Sequence, residues 1–205
     1  MIDFEYAARN MRGVWDAIFA GKDLDYSVDH DAQDVIRSFQ AVAIAAPFSI
    51  LSVAFIRIAA LKSTELETDP LITGPYSVFM AAKMAAFATD WMLSIGVLIA
   101  ATQLFNVKSR LARAITAFNW SQAIAAIALL VPVAILGITQ DVALFSVVYL
   151  PAFIFALVVT WKILRMALEL DIGTTIALIA VLGLTSLMAN ELITIIAITL
   201  IQGFS

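Results

Sequence analysis

Apolar positions along the chain fall into five long runs, roughly residues 39–61, 76–105, 117–138, 142–161 and 174–201, with polar and charged residues gathered between them. About 20 mainly apolar residues, rising 1.5 Å each, carry a helix across about 30 Å of hydrocarbon. Every run meets that length, and none shows the alternation a spanning β-strand needs. The pattern predicts an all-α fold, a polytopic membrane helix bundle of five transmembrane helices. The second and fifth runs exceed the hydrocarbon thickness and are expected to tilt or protrude. Only Thr139, Gln140 and Asp141 separate the third run from the fourth, which predicts a tight antiparallel hairpin, with Pro132 and Pro151 as candidate kinks.

On this pattern the chain divides into a polar N-terminal segment, 1–38, and a five-span domain, 39–205. In the first part Phe4, Ala8, Met11, Trp15 and Ile18 recur at steps of four and three, the spacing of one helix face. An amphipathic helix is therefore expected, with two uses open for its apolar face. It either lies in the membrane interface with Trp15 and Phe19 dipping into the acyl boundary and Arg9 and Arg12 near headgroups, or packs on the ends of the spans. The following stretch, 21–34, is rich in Asp but lacks the Gly and Glu of a hand-type calcium loop. It reads as a solvated linker whose Asp29 or Asp31 caps the helix entering the first span. His30 stands among these carboxylates, which favour its charged form, and is expected to be exposed.

Composition sharpens the picture by exclusion. With 62% hydrophobic and 14% charged residues the chain cannot coat the surface of a soluble globule. The absence of Cys removes disulfides and thiolate chemistry, and a single His removes a multi-histidine metal or haem site, so no metal or cofactor is expected. A net charge of -4 disfavours nucleic-acid partners. The opening MIDFEYAARN carries acids ahead of any base and no apolar core, so no secretory signal is expected there. Nine of the basic residues (Arg9, Arg12, Lys22, Arg37, Lys108, Arg110, Arg113, Lys162 and Arg165) fall on one side of the predicted spans. That bias predicts a multi-pass inner (plasma) membrane protein with its N-terminus cytoplasmic and its C-terminus outside. Trp120 and Trp161 then sit near cytoplasmic span ends and Tyr76 near an outer one, depths at which amphipathic rings favour the headgroup region.

Charged groups within the bilayer are costly and ask for partners. Asp90 lies near the middle of the second span, with Lys83 and Ser94 on the same helix face. Glu191 lies a little outward of the middle of the fifth, beside a small and polar stripe of Gly183, Ser186, Asn190 and Thr194 of the kind that lets helices approach and hydrogen-bond. Arg57 falls near the outer end of the first span, and Asn119 and Gln122 near the inner end of the third. The formal charges of Arg57, Lys83, Asp90 and Glu191 cancel, which suggests one intramembrane cluster. Such a cluster serves either as a proton or ion relay through the acids or as a structural network neutralised by the bases.

Nucleophile elbows, phosphate-cradling glycine loops, zinc-protease helices and dinucleotide fingerprints are all missing, so no enzymatic activity is expected. The acceptor-like triplet Asn119-Trp120-Ser121 falls at a cytoplasmic boundary and reads as chance. The five short spans, the acidic amphipathic N-terminal segment and the stretch Arg37-Ser38-Phe39-Gln40-Ala41 leading to Pro47 together resemble bacterial small membrane proteins of the Yip (Ypt-interacting protein) type. Asp23-Leu24-Asp25-Tyr26-Ser27 stands where eukaryotic members carry a DLYGP-like signature. The resemblance implies a topology and carries over no functional residue. The expected role is membrane organisation or partner binding, with the bilayer, protein partners or a second copy as contacts. A small ion- or proton-coupled transporter or channel component using Asp90 and Glu191 is the alternative, and an accessory subunit of a larger membrane complex is a third.

Overall fold

A computed structural model describes residues 3–24, 31–62 and 70–203. Among them the secondary structure is helical and no strand occurs. The elements are α1 (Phe4–Phe19), α2 (Ala32–Ser38), α3 (Gln40–Leu61), α4 (Pro70–Thr73), α5 (Tyr76–Leu104), α6 (Leu111–Thr139), α7 (Val142–Leu168) and α8 (Ile172–Gly203), with a 3-10 turn over Lys108–Arg110. Five helical stretches are long and apolar enough to cross a membrane, α2 and α3 together forming the first of them. The chain is a multi-pass membrane protein built as an all-α bundle.

Local signals set the helix ends. Asp3 caps α1 by accepting from the Tyr6 N–H at 3.0 Å, and Asp31, not Asp29, caps α2 in a reciprocal box with Asp34. Asp29 and His30 lie outside the described residues. The predicted hairpin is formed by Gln140 in a left-handed conformation (φ 59°), which closes α6, and by Asp141, which accepts from the Leu144 N–H at 2.9 Å and starts α7. All three interior prolines, Pro47, Pro132 and Pro151, sit inside continuous helices.

Two helices outrun their predicted limits. α6 begins at Leu111 rather than at 117, and α7 continues past Trp161 to Leu168. The extension of α7 presents Ile163, Leu164, Ala167 and Leu168, all fully buried, to the core, while Lys162 and Arg165 occupy its other side. The basic residues that seemed to end the span mark one face of a helix that goes on. Its last carbonyls are satisfied from α6: Arg110 donates to Leu168 O at 2.8 Å, Arg113 to Ala167 O at 2.9 Å, and both engage the Glu169 carboxylate.

The packing falls into two groups. α6 packs extensively on α3 and α7, and α8 packs chiefly on α5, while contacts between the groups are sparse. Small residues allow the close approach of α3 and α6: Ala41, Ala45, Ala114 and Ala117 are fully buried, and a Cβ on Gly137 would stand 2.7 Å from Phe55 Cβ. The N-terminal segment is not separate from the bundle. α1 lies across α6 and α7, and Tyr6, Val14, Ile18 and Leu24 share one apolar core with Leu98, Trp120 and Ile163.

The face that α1 buries differs from the predicted one. Tyr6, Ala7, Asn10, Gly13, Val14 and Ala17 are inside together with Ile18 of the predicted stripe, whereas Phe4, Ala8 and Trp15 are exposed and Met11 is half-buried. At about 100° of rotation per residue, the two stripes are displaced by roughly 120° around the helix. Small and polar positions such as Asn10 and Gly13 do the packing, which a search for large apolar residues passes over. Asn10 is kept satisfied inside by donating to Tyr6 O at 3.0 Å. Trp15 and Phe19 remain half-exposed beside Phe155 of α7, Phe19 stacking on it with ring centroids 6.1 Å apart. Of the two uses expected of it, α1 takes up packing on the bundle, and an apolar edge of Trp15 and Phe19 is left outward.

Trp120 is corrected from an interfacial ring to a core one. It is fully buried, with the Tyr6 ring edge-on at 5.8 Å, because α1 covers the end of α6 where a headgroup contact was expected.

Candidate functional site

α3, α5, α6, α7 and α8 leave between them a cavity of about 500 Å³ within the spanning region. Its walls are mainly apolar, interrupted by Ser49 and Ser52 from α3, Lys83 and Asp90 from α5, Gln122 from α6, Tyr149 from α7, and Ser186 and Asn190 from α8. Each polar group here comes from a helix that is otherwise hydrophobic, and the cavity gathers polar side chains from all five spans. Pockets of this kind, apolar with a few convergent polar groups, are common ligand sites between bundle helices.

Asp90 is the chemical centre. Ser186 donates a hydrogen bond to its carboxyl group, while the Oδ1 atom is buried with no hydrogen-bond partner among the described residues. Lys83, two turns along α5, donates to Asn190 Oδ1 at 3.4 Å and forms no ion pair with Asp90. The lysine and the aspartate therefore line one cavity separately, leaving a carboxyl oxygen open to a proton, a cation or a donor group entering between them. Gln122 is tied across to Thr160 of α7 at 3.3 Å.

The expected four-residue cluster does not form. Arg57 is buried at the far end of the bundle, away from the cavity lining, where it donates to Ile72 O at 2.9 Å and Gly74 O at 2.5 Å. Its guanidinium also lies 5.2 Å from the Tyr76 and Phe79 ring centroids. The reason is local: the α4–α5 junction leaves carbonyls without helical partners, and a forked cation satisfies two at once. Glu191 is exposed on the outside of α8, with no hydrogen bond or ion pair among the described residues. Asn190 lines the open edge of the cavity while itself exposed, and the next residue is turned about 100° away from it.

The stripe on α8 is likewise only partly used. Ser186 and Asn190 reach the cavity and Thr194 is half-buried, but Gly183 is exposed, and nothing lies within 4 Å of where its Cβ would be, so it permits no close helix approach. Trp161 is half-buried beneath the Arg165 guanidinium, 5.4 Å from its ring, at the α1 end of α7. Sequence reasoning missed Ser49, Ser52 and Tyr149. The two serines, one helical turn apart in an apolar run, were the available signal.

A second polar feature lies between the cavity and α1. Asn119 is fully buried, accepts from Trp91 Nε1 at 2.8 Å, and donates to Ser38 Oγ at 2.9 Å, pinning α5, α6 and α2 together. Outside the spans, four carboxyl groups are held below the ordinary carboxylate range. For Asp3 the main cause is the Tyr6 N–H, with Arg37 adding, and for Asp16 it is the Lys22 ammonium. For Asp31 it is the Asp34 N–H, and for Asp171 the Thr174 hydroxyl and N–H.

No group of three or more potential metal ligands gathers among the described residues. No protein-family model matches the chain, and neither a curated protein nor a solved structure is similar to it.

Proposed function

We propose that the chain is a small ion- or proton-coupled transporter or channel component whose intramembrane cavity works through Asp90. The observation that carries this reading is the buried, unpartnered Asp90 Oδ1 facing a cavity of about 500 Å³ in the spanning region. A carboxyl group in such a place is costly unless it exchanges a proton or receives a cation, and intramembrane acids often mark such pathways. Lys83 supplies a positive charge on the same wall without neutralising Asp90 directly, so an arriving cation meets both attraction and a counterbalance that lets it leave. Glu191 has no part in this path. The nine basic residues at the α1 end support an N-terminus in the cytoplasm and insertion in the inner membrane.

A second reading, an accessory subunit or self-associating protein, is supported by Glu191 itself. A carboxyl group on the outer face of a span, without a partner among the described residues, favours cover from another helix.

Proteoliposomes bearing the purified protein test the first reading by following proton or alkali-cation flux under an imposed potential. Flux that falls to the empty-vesicle level in Asp90→Asn and persists in Glu191→Gln is the expected result. Absence of flux from well-folded wild-type protein, or flux unchanged in Asp90→Asn, would refute it.

A further inference from the structure

A second cavity, also about 500 Å³, opens at the α1 end of the bundle, between the end of α1 and the extension of α7. Lys162 and Arg165 line it together with Trp161, Ile18 and Met166. Lys162 donates one hydrogen bond, to Ile18 O at 2.8 Å, and has no acidic partner among the described residues. Arg165 lies over the Trp161 ring and likewise has none. Glu169 is the acid in the lining, and its carboxylate is already engaged by Arg110 and Arg113, the latter at 3.0 Å. Two further basic groups at this end are matched, Lys22 by Asp16 at 2.7 Å and Arg37 by Asp3 at 3.0 Å, whereas Arg12 and Lys108 form no ion pair among the described residues and do not line this cavity. The cavity therefore has a surplus of two cations and suits an anion.

Directly beneath it, one turn back along α7 toward the span, a groove of about 280 Å³ runs between α7 and α8. Leu157, Val158, Ile176 and Ile179 line it with almost no polar surface. Trp161 is the wall shared by both spaces, and its Nε1 is buried with no hydrogen-bond partner among the described residues. The stacking order is thus a pair of cations, then an indole at headgroup depth with a donor to spare, then an apolar trough at acyl depth. Free phosphate or an acidic peptide has use for the cations but none for the trough, whereas a phospholipid uses both.

We propose that this is a binding site for one anionic phospholipid, its phosphate held between Lys162 and Arg165 and an acyl chain laid in the α7–α8 groove. The site is separate from the Asp90 cavity and does not depend on that cavity's role.

Lipid binding to the full-length, delipidated protein in detergent, followed by native mass spectrometry, provides the test. Phosphatidylglycerol is expected to bind about thirtyfold more tightly than phosphatidylcholine, the factor for two basic side chains near an anionic headgroup. Arg165→Gln, which removes a side chain that holds no backbone group, should cut that preference several-fold, and Lys162→Gln with Arg165→Gln should abolish it. Ile176→Trp, which fills the groove and keeps both cations, should weaken both lipids. Equal binding of the two lipids, a preference that survives the double substitution, or unaltered binding in Ile176→Trp would overturn the proposal. So would displacement of phosphatidylglycerol by millimolar inorganic phosphate, which would identify a free anion as the ligand.

Discussion

Replacing Asn119 by Leu keeps side-chain volume nearly constant and removes both polar ends of the bridge between Trp91 and Ser38. The consequences at those two partners are unequal. Ser38 Oγ still donates to Val35 O at 2.7 Å and loses only a donor to its own oxygen, whereas Trp91 Nε1 loses its acceptor in a site where Trp91 is 7% exposed. An unsatisfied buried donor costs about 1–3 kcal/mol. Hydrogen bonds between membrane helices average nearer 0.6 kcal/mol, because the unfolded chain in the bilayer also finds partners. A loss of about 1.5–3 kcal/mol for Asn119→Leu follows. In Trp91→Phe the Asn119 carbonyl is left unpaired, and in the double variant neither group remains to be satisfied. The double loss should therefore fall short of the sum of the single losses by about 1 kcal/mol. Reversible unfolding in mixed detergent micelles, read by far-UV circular dichroism, gives all three values. Strict additivity, or an Asn119→Leu cost under about 0.5 kcal/mol, would refute the idea that this bridge pins α5 and α2 to α6.

Two glycines predicted to behave oppositely make a compact comparison. Gly137→Ala places a Cβ 2.7 Å from Phe55 Cβ and should cost about 1–3 kcal/mol of overpacking, whereas Gly183→Ala enters open space and should be neutral or stabilising by up to about 1 kcal/mol in the same unfolding assay. Acid should loosen α1. Asp3, Asp16 and Asp31 have carboxyl groups held below their ordinary range in the folded chain, so the stability they contribute is complete above about pH 4 and drains away as pH falls through that value toward the lowered ones. The near-UV dichroism of the buried Tyr6–Trp120 pair should report this, and Asp3→Asn should shrink the acid-sensitive part of the change. The lack of native cysteine permits a clean solvent test of the cavity. A single Ser52→Cys should react with a small hydrophilic thiol reagent, while Leu150→Cys on the outer surface of α7 should resist it, and a Ser52→Cys as unreactive as Leu150→Cys would mean the cavity is dry.

The five spans and the 139–141 hairpin were legible because long apolar runs and their interruptions are one-dimensional signals that lipid imposes on any chain. The α7 extension was not, since Lys162 and Arg165 look like the end of a span unless the buried Ile163, Leu164, Ala167 and Leu168 between and after them are read as a continuing face. The intramembrane charges could be listed but not grouped. Depth follows from residue number, but azimuth depends on which helix is the neighbour, and one residue of offset puts Asn190 on the open edge of the cavity and Glu191 out of it. Arg57 went astray for a different reason: its partners are backbone carbonyls, which every residue carries and no sequence pattern advertises. The true packing face of α1 was hidden because Asn10 and Gly13 fit where bulk cannot.

The sparse contact between α5–α8 and the rest of the bundle has a mechanical meaning. The cavity holding Asp90 lies along the seam between these two bodies, so its volume is set by how they sit against each other and not by the rotamer of any one wall residue. Polar fasteners cross that seam at two places, Arg57 on the α4–α5 junction and Trp91, beside Asp90, on Asn119, and the cavity lining around Trp91 mixes Lys83, Asp90 and Gln122 with apolar side chains. A change in how the two bodies sit would alter the width of the mid-bilayer space while leaving every helix intact.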